Sequence, residues 1–288
     1  MPKLLAFALA LPLLACTVGP DGAPIGDGPD GGVADIDAPT GNVTTVSGTI
    51  TQSATWSGTI DVTGSTTIMT GATITVSAGT TIKMASGTTI LVRGTLAIEG
   101  TSAAKVTIKA AQAGGFHGGF AVDGGGRLTF SYVVLTGGGV HTGAGGTAII
   151  ADSKMAHASG DLLTMNGGSV DMQYSQIGVD PGPSDTTHCD MHFDGNSTIR
   201  ITHSNITTSA YGVMFYGGTG AVFTNDNWYA NTSFSVHTVP AGPGQPGVTG
   251  DFTGSWFDND KVFKAAGTTL TGVVLNPALP RNTAGPRP

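Results

Sequence analysis

The chemically richest stretch of the chain runs from Thr187 to Asn196 and reads THCDMHFDGN. It holds two His, two Asp and one Cys, although only 11% of the 288 residues are charged. Imidazole, carboxylate and thiolate groups bind metal ions, and the first two also act as acids and bases in catalysis. The stretch is therefore a candidate for a metal site, a catalytic centre or a binding surface.

The side chains of this stretch divide into two sets if it forms a strand, because successive residues of a strand point to opposite faces. One set is apolar, and we expect it to face a core: Cys189, Met191 and Phe193. The other set is polar, and we expect it to form an exposed face: His188, Asp190, His192 and Asp194. We predict a ligand-binding role for this polar face.

Distance argues against a metal ion shared by His188 and His192. Four residues of a strand span about 13 Å, whereas Zn–N bonds measure about 2.1 Å. Residues two positions apart could share an ion only with a further ligand from an adjacent turn. The following turn offers Gly212, Met214 and Tyr216 at the corresponding positions, which are poor ligands. We therefore expect no metal and no cofactor.

Carboxylate catalysis has little support from spacing. Asp190 and Asp194 lie about 13 Å apart along a strand, whereas the paired carboxyl groups of glycosidases are about 5–9.5 Å apart. If the protein is an enzyme, we expect Asp190 or His192 to be its acid or base and Arg200 to bind a substrate carboxylate. Arg200 also aligns beside Asp171. This alignment predicts an exposed ion pair that contributes at most about 1 kcal/mol to stability.

Aromatic residues near the polar face could stack on sugar rings. Alternation along the strand predicts that Tyr216 points outward, that Tyr211 points inward, and that Trp228 lies in the core. We therefore add Tyr216 to the predicted binding residues of the polar face.

The elements that carry these residues are predicted to be short strands. The segment GTIDVTGSTTIMTGATITVSAGTTIKMASGTTILVRGTLAIEG shows apolar residues at a period of two, in short runs separated by Gly. Such alternation indicates half-buried strands. No convincing helix pattern occurs after the first 15 residues.

The second half of the chain repeats itself. STIRITHSNI aligns with GAVFTNDNW, so that Asn205 falls on Asn227, and SVDMQYSQI places Gln176 at the same position. The apolar residue that closes each repeat recurs at spacings of 20, 22, 29, 22 and 28 residues. These closing residues are Leu135, Met155, Ile177, Ile206, Trp228 and Trp256.

A turn of about 20–22 residues suits three short strands and three bends, and such turns stack into a solenoid. The two longer intervals contain Pro/Gly-rich inserts, GVDPGPSD and PAGPGQPG. We expect Gln176, Asn205 and Asn227 to form an amide ladder at one bend. The first insert could also bring Asp180 or Asp185 over the polar face.

Residues 70–110, TGATITVSAGTTIKMASGTTILVRGTLAIEGTSAAKVTIKA, resemble the entry segment of bacterial right-handed parallel β-helix proteins of the pectin-lyase-like superfamily. The resemblance, with the later repeats, extends over about residues 45–260. It implies an all-β fold: a single-stranded right-handed parallel β-helix. It does not imply one activity, because that fold carries lyases, hydrolases, epimerases, adhesins and inert stalks.

The first residues read MPKLLAFALALPLLAC, and their apolar run is too short to span a bilayer but typical of a signal peptide. The four residues before the expected tether, LLAC, resemble the bacterial lipobox, which implies cleavage before Cys16 and lipidation of its thiol. We therefore expect a signal peptide at 1–15, a lipidated Cys16 with a disordered acidic tether at 16–43, a β-helix at 44–278 and a tail at 279–288.

Charge and cysteine content limit the function classes. The formal net charge is -7, and this acidity argues against nucleic-acid binding, which needs basic patches. After processing and lipidation of Cys16, Cys189 would be the one remaining thiol, so no intrachain disulfide is expected.

Together these features predict a lipid-anchored protein of the bacterial cell envelope, at the outer membrane or the cell surface. We expect a non-catalytic binding or display role, directed toward glycans. Two alternatives stay open: a carbohydrate-active enzyme, either a polysaccharide lyase or a glycoside hydrolase, and an inert structural stalk.

Overall fold

The chain was analysed in a computed structural model that describes residues 43–179, 188–194, 197–218, 220–239, 247–259 and 261–288. All regular secondary structure in these ranges is β-strand, and the strands pair in parallel into a β-helix, which confirms the predicted all-β solenoid. Among these residues there is no helix with the length and apolar character needed to cross a membrane. The predicted signal peptide, Cys16, the tether to residue 42, and Asp180 and Asp185 of the first insert lie outside the described residues.

Each turn of the coil contributes one strand to each of three stacks. Stack 1 consists of β2 (Ala54–Trp56), β4 (Thr73–Val76), β7 (Thr95–Glu99), β10 (Arg127–Ser131), β13 (Thr147–Ala151), β16 (Ser169–Gln173), β19 (Thr198–Thr202), β22 (Ala221–Thr224), β25 (Thr249–Asp251) and β28 (Thr269–Thr271). Stack 2 consists of the first parts of β1 (Val43–Ile50) and β3 (Thr59–Ile68), β5 (Thr81–Met84), β8 (Val106–Ala110), β11 (Val133–Thr136), β14 (Lys154–Ala156), β17 (Gln176–Ile177), β20 (Asn205–Thr207), β23 (Asn227–Tyr229) and β26 (Trp256–Phe257). Stack 3 consists of the last parts of β1 and β3, β6 (Thr89–Val92), β9 (Gly119–Val122), β12 (Val140–Thr142), β15 (Leu163–Asn166), β18 (Cys189–Asp194), β21 (Tyr211–Phe215), β24 (Phe234–Thr238) and β27 (Val262–Phe263).

The register between turns confirms the repeat alignment, with one correction. Asn205 pairs with Gln176 on one side and with Asn227 on the other. At the last repeat, however, Trp228 pairs with Phe257, whereas Trp256 pairs with Asn227. Phe257 is fully buried, so Phe257 and not Trp256 closes that repeat in the core.

The core is a continuous column of aliphatic and aromatic side chains inside the coil. The N-terminal turns of the coil are filled mainly by Ile, Val and Leu, and the C-terminal turns are filled mainly by aromatic rings in contact. Phe223 stacks on Phe252 with ring centroids 5.0 Å apart, and Trp228 stacks on Phe257 at 5.8 Å. Full burial of one large apolar side chain contributes about 1.5–3 kcal/mol, so the stacked turns stabilise one another.

A column of buried hydroxyl groups lines the bend between stacks 1 and 2. The backbone N–H of Ser175 donates to the Ser204 hydroxyl at 3.2 Å, and the Ser204 N–H donates to Asp226 Oδ1 at 2.7 Å. The residue before each column member has a positive φ, for example Tyr174 (46°) and His203 (52°). His203 is thus a bend residue, as its alignment with Tyr174 indicates, and the two rings stack at 4.9 Å.

The amide ladder predicted at the start of stack 2 forms between two of its three members. Asn227 Nδ2 donates to Asn205 Oδ1 at 2.9 Å. Gln176 is in register with Asn205, but its side-chain amide donates to the carbonyl of Gly178 instead.

The C-terminal residues run back along this ladder and tie several turns together. Asn282 N–H donates to Asn227 Oδ1 at 2.9 Å, and Gly285 N–H donates to the carbonyl of His203 at 2.8 Å. Arg287 then reaches Asp152, two turns further back than His203. We call residues 281–287 the C-terminal strap.

Candidate functional site

The polar residues of the opening stretch gather around a side chain from the preceding turn. Leu163 of β15 pairs with Met191 of β18, which places Asp161 next to Cys189 in the neighbouring turn. One carboxylate oxygen of Asp161, a ring nitrogen of His188 and Sγ of Cys189 lie within 4.8 Å of one another. We call Asp161, His188, Cys189, His192 and Asp194 the stack 3 cluster.

Asp161 is the centre of this cluster because it binds both imidazoles. Its Oδ1 contacts His188 Nδ1 in a short hydrogen bond and also accepts the Cys189 N–H at 3.3 Å. Its Oδ2 lies 3.4 Å from His192 Nδ1. The other ring nitrogen of His192 lies 3.5 Å from Asp194 Oδ1. The two carboxylates therefore hold the His192 ring from both sides.

The electrostatics of the cluster favour charged side chains. Burial raises the pKa of Asp161, but the hydrogen bonds and charges of His188 and His192 outweigh burial and hold that pKa well below its usual range. Burial lowers the pKa of His192, but Asp161 and Asp194 outweigh burial and raise it to about 9. At neutral pH the cluster thus contains an ionised Asp161 beside a protonated His192.

The predicted polar face is less exposed than alternation indicates. The side chains of His188 and Asp194 are each 33% exposed, whereas His192 is 5% and Asp190 is 0% exposed. The two ends of the predicted face are therefore partly exposed, and the prediction of exposure is wrong for Asp190 and His192.

Cys189 is buried but does not share the surroundings of Met191 and Phe193. Those two residues belong to the apolar core cluster, and Cys189 does not. Its Sγ lies beside the side-chain ligand atoms of Asp161 and His188. The prediction that Cys189 lies in the interior is confirmed, since its side chain is fully buried, although it sits at the polar edge of the core, where β18 begins after a bend at His188.

Tyr216 and Tyr211 lie in the turn that follows the cluster. The Tyr216 ring is partly exposed and stacks on His192, with centroids 4.6 Å apart and planes 8° apart. Tyr211 is also partly exposed, and its ring packs against those of Phe234 and His237. Tyr211 was predicted to point inward. That prediction is wrong because the two residues after it, Gly212 and Val213, are both buried, so simple alternation fails where β21 begins.

An aromatic surface lies beside the cluster on the next turns of stack 3. We call it the aromatic patch. Ring centroids within it lie 4.9–6.1 Å apart. Phe263 is 44% exposed, and the other three side chains are partly exposed. The patch consists of Tyr211, Phe234, His237 and Phe263.

Arg200 is not brought to the cluster. It lies in β19 of stack 1, and its guanidinium donates to Asp171 Oδ1 at 3.0 Å. Both side chains are about half exposed, with relative exposures of 52% and 51%, so this is the exposed ion pair that the repeat alignment predicts. Arg200 therefore lies in a different stack from His188, Asp190 and His192.

Asp161 is the residue that sequence reasoning missed. Alignment of DLLTMN (161–166) over CDMHFD (189–194) would have placed Asp161 on Cys189. The repeat is clearest in stack 1, and the turn that follows the stretch offers only poor ligands, so the sequence signal for this site lies in the preceding turn. With Asp161 included, carboxylate, imidazole and thiol ligands come from adjacent turns.

No protein-family model, no curated protein and no solved structure matches this chain. Its architecture is therefore assigned from the strands and their register alone.

Proposed function

We propose that this protein is a lipid-anchored binding protein of the bacterial cell envelope and that it binds glycans on stack 3, within the pectin-lyase-like superfamily of β-helix proteins. The observation that carries the proposal is the aromatic patch beside the stack 3 cluster. A glycan offers apolar ring faces and many hydroxyl groups, so a surface that recognises it needs aromatic and hydrogen-bonding groups together.

The patch supplies the apolar part of such a surface. Exposed apolar groups that are contiguous, and not scattered singly, mark binding sites. Aromatic side chains bury a large area on contact and lose little conformational entropy. Phe263 lies in the last strand of stack 3, and its ring stacks on His237 at 4.9 Å.

The cluster supplies the polar part. The backbone N–H of Tyr211 donates to the carbonyl of His188 at 3.2 Å, so the patch and the cluster are joined by a strand-to-strand hydrogen bond. Carboxylates accept hydrogen bonds from hydroxyl groups, and an imidazole can donate to them. Asp194 and His188 are the exposed members that could make such bonds.

A glycan array probed with the full chain tests the binding role, followed by calorimetric titration of each hit. We expect Phe263→Ala and Tyr211→Ala each to weaken binding at least tenfold. Phe116→Ala is the matched control, because Phe116 is another exposed aromatic residue (38%) that lies before β9, several turns from the patch. Array signals no higher than background, or equal affinities for all four proteins, would contradict the proposal.

The lipid anchor has its own test. In a bacterial host, wild-type protein should fractionate with membranes and incorporate labelled fatty acid, and Cys16→Ser should abolish both. An unlabelled wild-type protein would refute the anchor without affecting the binding role.

A further inference from the structure

We propose that Asp161, His188 and Cys189 form a binding site for a zinc ion, with His192 as a positioning residue. The proposal goes beyond the glycan-binding role and does not depend on it. The three side chains lie on adjacent turns, and one ligand atom from each lies within 4.8 Å of the others.

The geometry of the three atoms is close to that of a metal centre. Tetrahedral zinc has bonds of about 2.0–2.3 Å, so its ligand atoms lie roughly 3.5 Å from one another. Here Asp161 and His188 share a hydrogen bond, and the zinc ion would take the place of the shared proton. The two groups must then move apart to reach the ligand spacing of zinc. The side chain of His188 is a third exposed, so its ring lies at the surface of the coil.

The chain positions its ligands by stacking. Parallel strands of adjacent turns lie about 4.8 Å apart, so a residue of one turn can share an ion with residues of the next. His188 and Cys189 are sequence neighbours that would point in opposite directions inside a strand. The bend at His188 precedes the first strand residue, Cys189, and lets both side chains face Asp161.

The types of ligand select the metal. A thiolate, an imidazole and a single carboxylate oxygen suit a borderline-soft cation such as Zn²⁺, whereas Ca²⁺ and Mg²⁺ require several oxygen ligands. Three protein ligands leave a fourth position for water. Asp161 and His188 are partly exposed, so an ion can enter from solvent.

The residues around the three ligands form the outer support that metal sites need. His192 Nδ1 lies 3.4 Å from Asp161 Oδ2, which leaves Asp161 Oδ1 directed at His188 and Cys189. Asp194 in turn holds the opposite nitrogen of His192 at 3.5 Å. Loss of such outer partners typically lowers metal affinity about 10–100-fold.

The experiment is a titration of the reduced, chelator-stripped full chain with Zn²⁺, read by equilibrium dialysis and elemental analysis. We expect one ion per chain. Cys189→Ser, His188→Gln and Asp161→Asn should each lower the affinity at least 100-fold, and His192→Gln about 10–100-fold. His203→Asn is the matched control with unchanged affinity, because His203 lies at the bend before stack 2 and Asn stands at the equivalent position 225.

A second measurement protects the test against variants that do not fold. Co²⁺ added to the wild-type chain should give a thiolate-to-metal charge-transfer band, which requires Cys189 as a ligand, and Zn²⁺ should abolish it. Zn²⁺ should also raise the Tm of the wild type, whereas Mg²⁺ should not. Absence of the cobalt band, or equal zinc affinity for wild type and folded Cys189→Ser, overturns the proposal. Neither readout involves a glycan, so failure here leaves the glycan test unaffected.

Discussion

Asp152 and Arg287 are 135 positions apart in the chain, yet they form a two-bonded ion pair at the end of the C-terminal strap. Arg287 Nε and Nη2 donate to the two carboxylate oxygens of Asp152, each at 2.7 Å. The Asp152 side chain is 4% exposed, whereas that of Arg287 is 52% exposed. The Arg287 guanidinium also lies over the Tyr174 ring, 4.2 Å from its centroid. One residue of the strap thus compensates a buried charge and covers a neighbouring turn.

Arg287→Ala should destabilise the fold, because it leaves the buried Asp152 carboxylate without its main partner. Hydrogen bonds to charged groups contribute about 1.5–3 kcal/mol, and the exposure of Arg287 reduces this to about 1–2 kcal/mol. Urea titration at pH 7 measures the change. Arg200→Ala is the control, since it removes an ion pair of which both members are exposed, and it should change stability by less than about 0.5 kcal/mol.

The destabilisation caused by Arg287→Ala should depend on pH. The hydrogen bond from Arg287 holds the pKa of Asp152 below its ordinary value. A depressed pKa contributes stability above the unfolded-state pKa of about 4, and that contribution is lost as pH falls through the folded-state value. The difference in the free energy of unfolding between wild type and Arg287→Ala should therefore become smaller below pH 4. A difference that stays constant from pH 7 to pH 3 would contradict this role of the pair.

Asp226 should make the protein less stable as pH rises. It replaces a serine in the buried hydroxyl column, and burial raises its pKa well above the ordinary value, although the Ser204 N–H bond opposes this. A carboxyl group with a raised folded-state pKa stabilises the fold most below the unfolded-state pKa of about 4. This stabilisation declines as pH rises toward the folded-state pKa. Stability should therefore fall between pH 4 and pH 8.

Asp226→Ser restores the residue type of the neighbouring turns and tests this account. We expect it to raise the free energy of unfolding at pH 8 by about 1–3 kcal/mol, the cost of a buried polar group that is poorly matched, and to change it little at pH 4. Denaturant titrations at several pH values measure this. Asp226→Asn is the companion variant. Its side chain cannot titrate, so this variant should also lose the part of the pH dependence of stability that comes from Asp226. If the free energy of unfolding depends on pH in the same way for wild type and Asp226→Ser, the prediction is refuted.

The fold was predictable from sequence because each turn must repeat the same pattern to cover the last one. Asn205 and Asn227 occupy the same bend position in successive turns. The repeat in the sequence aligns them, and they are paired in the structure. The cluster was harder to predict, because Asp161 and His188 lie 27 positions apart across a turn whose register the sequence indicates only for stack 1. Alternation also fails at the start of β21, where Tyr211 is partly exposed although it was predicted to point inward. The C-terminal strap was not predictable, since its contacts with Asp152 join segments with no repeat pattern in common.

Gly146 should be intolerant of any side chain, because the turns approach too closely at this position. A Cβ added to Gly146 would lie 2.0 Å from the carbonyl oxygen of Val122, a backbone atom of the preceding turn that cannot move alone. Gly146→Ala would have to separate two turns that share a core, and we expect a loss of about 3 kcal/mol or more, above the usual range for overpacking of about 1–3 kcal/mol. Thermal and urea unfolding measure the loss.

Gly143 provides the matched control in the same bend. A Cβ at Gly143 would lie 3.4 Å from the Asp123 Cβ, which is ordinary van der Waals contact, and its φ is not positive. Gly143→Ala should therefore be neutral or slightly stabilising, by up to about 1 kcal/mol, because alanine restricts the unfolded chain. If both variants unfold at the same denaturant concentration, the close approach of the turns at Gly146 does not limit the packing of the coil.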